Sequence, residues 1–185
     1  MSYDHKFHHR KSIRLPNYNY SQEGSYLITT CTQNRECLFG NVVDGEMRLN
    51  AAGQLIQLVW DEIPLFYPGV ETDDFVIMPN HVHGIINIVG ASPRACPIKS
   101  ARDNEGRPQG AAPTLSLSDV VHRFKTMTTK RYIDAVKRDD WSCFDGRVWQ
   151  RNYWERVIRN EIELNAFREY IGNNAMQWHL DTLHP

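Results

Sequence analysis

Long apolar runs are missing from this sequence. No stretch approaches the ~20 consecutive apolar residues that cross a bilayer, and the basic first residues are not followed by the apolar core of a secretion signal. That argues against a membrane partner and sets a cytoplasmic location as the expectation. Cysteine is sparse. Cys31, Cys37, Cys96 and Cys143 lie far apart with no C-x-x-C pair, so they read as reduced thiols and not as a disulfide framework or a thiolate zinc site. Net charge is almost absent too, at −1, and by itself points to no class of partner. What is present is the composition of an ordinary globular chain, 41% hydrophobic and 23% charged over 185 residues. That length suits one domain with a sizeable core.

The charge becomes informative once it is divided along the chain. Residues 41–90 hold seven acids against Arg48 alone. Residues 123–138 carry Arg123, Lys125, Lys130, Arg131, Lys137 and Arg138 against Asp134, and Arg147, Arg151, Arg156 and Arg159 follow against Glu155. Such asymmetry fits a face for polyanions, although a solvated helix face also collects lysine and arginine. Residues 1–20 form a basic arm in which Arg10, Lys11 and Arg14 are suited to phosphates, with Tyr18 or Tyr20 as a stacking surface. Residues 90–114 hold four prolines and almost no large apolar side chain, which reads as a mobile loop.

Between these segments the periodicities predict regular elements. The β-branched and aromatic run 25–32 reads as a strand, and 41–49 as a small hairpin around Asp44-Gly45. Leu55, Ile56, Val59, Trp60 and Ile63 fall at helical spacing. The two apolar runs of FVIMPNHVHGIINIV, residues 75–89, flank a Pro79-Asn80 turn and predict a hairpin of buried strands. Ser116-x-x-Asp119 is a capping box opening a helix to about Lys137, and Asn160-x-x-Glu163 opens a last helix to about Asn173. Residues 148–158 alternate imperfectly and predict a fourth main strand. The order strand, helix, strand, strand, helix, strand, then an added helix, is that of an α+β, ferredoxin-like (split βαβ) antiparallel sheet with helices on one face.

Two features carry chemistry. His81 and His83 flank Val82 at the start of the second hairpin strand. Alternation puts both rings on one face, about 6.6 Å apart, close enough to share one cation while Val82 stays in the core. A hydrogen-bonded core histidine beside a solvated one fits the same pattern. On the last helix Tyr170 and Asn174 are four residues apart and share a face, where a core-edge tyrosine and a C-cap asparagine are the plainer readings.

Taken together, the stretches MPNHVHGIINIV, RKSIRLPNYNYSQEGSYLITTCTQNRECLFG, VWQRNYWERVIRN and REYIGNN resemble the REP-associated tyrosine transposases, relatives of the single-tyrosine transposases with a His-hydrophobic-His motif. The resemblance implies metal ligands at His81, His83 and Asn174 and a nucleophile at Tyr170. Tyr153, Tyr132 and Tyr26 are rival nucleophiles that lack a ligand-competent residue at i+4. Imidazole and amide ligation suits Mg²⁺ or Mn²⁺. The implied activity is cleavage and rejoining of single-stranded DNA beside a hairpin, through a 5′-phosphotyrosine intermediate, in a bacterial cytoplasm at the nucleoid. Arg10, Lys11, Arg14, Arg123, Lys125, Lys130, Arg131, Arg147 and Arg151 would hold phosphates, and Trp149, Tyr153 or Trp154 would stack on bases. A homodimer and a single chain both fit the resemblance. A non-catalytic DNA- or RNA-binding module on the same fold is the alternative.

Overall fold

The structure, a computed structural model, describes residues 14–89, 115–139 and 141–185. The expectations for Arg10, Lys11 and the 90–114 loop lie outside those residues. Strand β1 (Gly24–Cys31) leads to a hairpin of β2 (Gly40–Val43) and β3 (Glu46–Leu49), then helix α1 (Ala51–Phe66). Strands β4 (Val70–Ile77) and β5 (His81–Ile88) follow, then α2 (Leu117–Arg138), β6 (Trp154–Ile158) and α3 (Glu161–Asn173). The four long-range strands form one antiparallel sheet in the order β4-β5-β1-β6, the ferredoxin-like order. The caps are where the sequence puts them. Ser116 and Asp119 close a full capping box on α2, and the side chains of Asn50 and Asn160 accept backbone N–H bonds at the starts of α1 and α3.

Alternation gives the sheet two distinct faces. Tyr26, Ile28, Val82, Ile86 and Ile88 face α1 and α2, where Ile56, Trp60, Val121 and Phe124 complete the main core. Leu27, Ile85 and Ile158 face the other way and are covered by Ile171, Leu164 and Phe167 of α3. The third helix therefore has its own side of the sheet. A bulge between Thr72 and Phe75 in edge strand β4 accompanies a paired contact there: Arg168 of α3 donates to Asp73 at 2.7 Å.

Two elements differ from the periodicity. β4 begins at Val70, because an edge strand tolerates the polar run Glu71–Asp74 on its solvated side. The last strand is shorter than residues 148–158. Val148 and Trp149 are consecutive and both buried, which a strand with one open face does not do. They tuck beneath β1 and α2 instead. Thr32 forms an isolated bridge with Trp149, the Trp149 indole N–H donates to Thr128 Oγ1 at 2.8 Å, and the Lys125 ammonium donates to the carbonyls of Gln150 and Asn152, both at 2.9 Å.

Gly84, one residue past the histidine pair, is required by packing. Trp60 stacks on Phe75 with centroids 4.1 Å apart, and a Cβ at position 84 would meet the Trp60 ring at 2.5 Å and Phe75 at 2.8 Å. Gly84→Ala is expected to destabilise the chain by ~1–3 kcal/mol through overpacking, read as a melting midpoint several degrees lower. An unchanged midpoint would show that the Trp60–Phe75 stack moves aside freely.

Candidate active site

His81 and His83 occupy the face of β5 opposite the main core, two rows and one row beyond Ile85 respectively. Their exposures are 0% and 3%, and the ring centroids are 4.7 Å apart. Each ring is held through Nδ1. His81 Nδ1 donates to Asn80 Oδ1 at 2.8 Å, and His83 Nδ1 meets Thr29 Oγ1 at 2.7 Å across the β1–β5 pairing. Holding Nδ1 turns both Nε2 atoms toward the same space, the orientation that a metal-ligating histidine needs.

From the other end of the chain, α3 brings Tyr170 to this space. Its hydroxyl lies 3.1 Å from His83 Nε2, with the rings edge to face at 5.1 Å. In the tautomer that donates Nδ1–H to Thr29, the Nε2 lone pair faces the phenolic O–H. Tyr170 is 41% exposed, so the phenol is at a solvated wall and not in the interior. Asn174, one turn further on, is 5% exposed. The segment after α3 adds Asp181, whose Oδ2 is 3.5 Å from His81 Nε2. That segment is fixed by Asn80 Nδ2, which donates to Leu183 O at 2.8 Å, and by Arg35, which donates to Thr182 O at 3.1 Å.

The electrostatics follow from dryness. Burial, helped by Arg35, pushes the His81 imidazole down to about 4. Burial, with His81 adding to it and Asp181 opposing, pushes His83 down to about 3. Both rings are therefore neutral at pH 7, as ligands must be. Burial and the Asp181 carboxylate raise the Tyr170 pKa while the Asn174 amide lowers it, so the phenol keeps its proton at neutral pH. His81 Nε2, Asn174 Oδ1 and Asp181 Oδ2 are buried polar atoms without a hydrogen-bond partner. Such orphans cost stability unless something occupies the space between them. The ligand atoms of His81, His83 and Asp181 all lie within 4.8 Å of one another. Neutral nitrogens combined with amide and carboxylate oxygens fit a divalent cation.

The other sequence-assigned residues divide. Lys130, Arg147 and Arg151 are exposed and line a groove of about 680 Å³ between α2 and the segment before β6. Arg123 and Arg131 point toward α1 instead: Arg123 lies over Tyr67 at 5.1 Å, and Arg131 pairs with Glu62 at 2.6 Å. Helical spacing explains the separation, since positions 123 and 131 lie on a different side of α2 from 130. Lys125 is occupied as the strut beneath residues 150–152. Arg14 lies over the Tyr153 ring at 4.7 Å and donates to Ser118, pinning the chain onto α2. Trp149 is 5% exposed and belongs to the core, which rules out the stacking role assigned to it. A second cavity, about 460 Å³, is lined by His83, Tyr170, Asp181, Trp154 and Gln150, and Gln150 also lines the basic groove.

Three residues of the site escape sequence reasoning. Asn80 reads as a turn residue, Thr29 as one of several strand threonines, and Asp181 follows the last periodic segment. Only tertiary contact reveals them.

No family model matches the chain. A solved structure of a REP-associated tyrosine transposase bound to a REP hairpin aligns with a TM-score of 0.54 at 16% identity, over 89% of this chain and 73% of that one. A solved transposase candidate from Deinococcus radiodurans aligns at 0.42 with 21% identity, over 86% of this chain and 95% of that one. The chain has the REP-associated tyrosine transposase fold. It is 42% identical over 182 residues to an uncharacterized protein of Haemophilus influenzae, covering 98% of this chain and 97% of the relative, and it belongs to the family of that protein.

Stability of the chelator-treated protein should fall with acid. The unfolded chain takes up protons near the usual imidazole value of 6.5, and the buried rings refuse them until about 4 or below. Stability is thus complete above pH 6.5 and is lost toward pH 4, by up to about 1.4 kcal/mol per pH unit for each ring. Urea unfolding across that range should show the slope, and His81→Gln with His83→Gln should flatten it. An unchanged slope would place the acid sensitivity elsewhere.

Proposed function

We propose that this chain is a metal-dependent single-stranded DNA transesterase that cleaves and rejoins DNA at hairpin-flanked sites through a 5′-phosphotyrosine intermediate. The observation that carries the reading is the 3.1 Å approach of the Tyr170 hydroxyl to His83 across 87 residues of sequence. A phenol, two neutral imidazoles and a carboxylate meet within one chain, which supports a site built from a single subunit.

His81 and His83 through Nε2, Asn174 through Oδ1 and Asp181 through Oδ2 would hold Mg²⁺ or Mn²⁺. Such a cation supplies Lewis-acid polarisation of the phosphate and charge that favours phenolate. Tyr170 Oη then attacks the phosphodiester. The Oη–P bond forms as the bond from phosphorus to the 3′ oxygen breaks; the phenol proton leaves to solvent and the 3′ oxygen gains one. The product is a 5′-phosphotyrosine with a free 3′-hydroxyl, and reversal on another strand needs no ATP. Asn80 and Thr29 position the imidazoles, and the Asp73–Arg168 pair helps set where α3 presents the phenol. Lys130, Arg147 and Arg151 bind backbone phosphates in the basic groove, where counterion release makes affinity salt-dependent.

A labelled single-stranded oligonucleotide carrying a hairpin, incubated with Mn²⁺, should give a covalent protein–DNA band that is absent in Tyr170→Phe. His81→Ala and His83→Ala should abolish cleavage while leaving hairpin binding within about threefold, because the phosphate contacts lie elsewhere. Asp181→Asn should raise the Mn²⁺ concentration for half-activity at least tenfold, roughly the size of effect seen for residues around metal sites. If the wild type forms no adduct with any divalent cation yet still binds DNA, the chain is a binding module with structural histidines. Lys130→Ala combined with Arg147→Ala should reduce the slope of log affinity against log salt by about 1.4 for a single strand. A uniform loss at every salt concentration would mean those side chains act on the fold.

A further inference from the structure

We infer that Trp154 is a stacking platform for the unpaired base next to the reacting phosphodiester. The inference rests on the transesterase reading for its location and on separate observations for its chemistry. Thr29 in β1 is the cross-strand partner of both His83 in β5 and Trp154 in β6. The three residues form one row on one face of the sheet, and two strand spacings put Trp154 about 10 Å from His83 between Cα atoms.

Among the described residues three phenylalanine, tyrosine or tryptophan side chains are exposed: Phe66, Trp154 and Tyr170. Two of them, Trp154 and Tyr170, line the same cavity. The neighbouring aromatics are already engaged. Trp149 is in the core, and Tyr153 has Arg14 at 4.7 Å and Lys125 at 5.7 Å from its ring centroid. Trp154, at 47% exposure, is the ring of this segment with a surface open to a ligand. The Lys125 strut fixes residues 150–152 just before it, and Gln150 joins this cavity to the basic groove. A strand leaving Tyr170 can therefore cross the indole before its phosphates reach Lys130, Arg147 and Arg151. Stacking on an indole is indifferent to base identity, which suits a platform that supports an unpaired nucleotide and leaves sequence reading to other contacts.

The test uses a thymidine oligonucleotide of about twelve nucleotides, an abasic analogue of it and a blunt duplex of similar length, with binding measured in the Tyr170→Phe protein so that no cleavage intervenes. Adding Trp154→Ala should raise Kd for the thymidine oligonucleotide about tenfold and leave the duplex and the abasic strand unchanged. Trp154→Phe should restore most of the affinity, which a simple loss of fold would not allow. Tryptophan emission should be quenched by the thymidine strand in the parent and much less in Trp154→Phe. Equal losses for single strand and duplex, no loss for the single strand, or no single-strand binding by the parent would each overturn the platform. If stacking holds while the wild type forms no covalent adduct, the transesterase reading fails and Trp154 is a stacking surface for single strands with no reacting phosphodiester beside it.

Discussion

Two imidazoles kept dry and uncharged on one strand are the constraint on which the rest of this structure depends. A buried histidine is tolerated when its nitrogens are satisfied. Here Asn80 and Thr29 satisfy one nitrogen of each ring, from the turn before β5 and from the strand beside it. The remaining nitrogens face a space where Asp181 also presents an oxygen without a hydrogen-bond partner. Unanswered polar atoms scattered through an interior would be a defect. Three of those in this chain, His81 Nε2, Asn174 Oδ1 and Asp181 Oδ2, belong to residues of the candidate site, and they support the cation proposed for it.

The second requirement is that α3 stay on its side of the sheet. The patch formed by Leu27, Ile85, Ile158 and Ile171 is small beside the main core, and the Arg168–Asp73 pair adds a directional contact where β4 bulges. Partly exposed ion pairs add little stability. Their value here is geometric, because a shift of α3 by one turn would carry the phenol well away from His83. The helix that contributes least to the main core is the one whose placement the chemistry needs most.

Legibility in the sequence followed the range of the interactions involved. The capping box at Ser116, the N-cap at Asn160, the amphipathic run of α1 and the two-residue parity of β5 are local, and the order of elements is enough for the ferredoxin-like sheet. The His81–His83 and Tyr170–Asn174 spacings are equally local, and only the family resemblance, not the spacings themselves, implies that they meet. The polar start of β4 was hidden because an edge strand relaxes the rule that strands alternate. Trp149 stays hidden because an aromatic beside arginines looks the same in sequence whether it faces solvent or, as here, packs on Phe39 and Phe124. A charge count alone makes Arg131 a phosphate contact because it ignores which side of a helix a residue occupies. Asn80 and Asp181 acquire their roles only from residues far off in the chain.

The parity of β5 ties foldability to chemistry. Because neighbouring side chains leave the strand on opposite sides, a one-residue slip of its pairing would drive the imidazoles into the greasy layer beneath α1 and push valine and isoleucine out to the face that carries Tyr170. No such frameshift of the pairing can spare one side and ruin the other. Lineages carrying this strand therefore keep or lose the hearth and the house together, and drift in its length should be far rarer than drift in the loops around it.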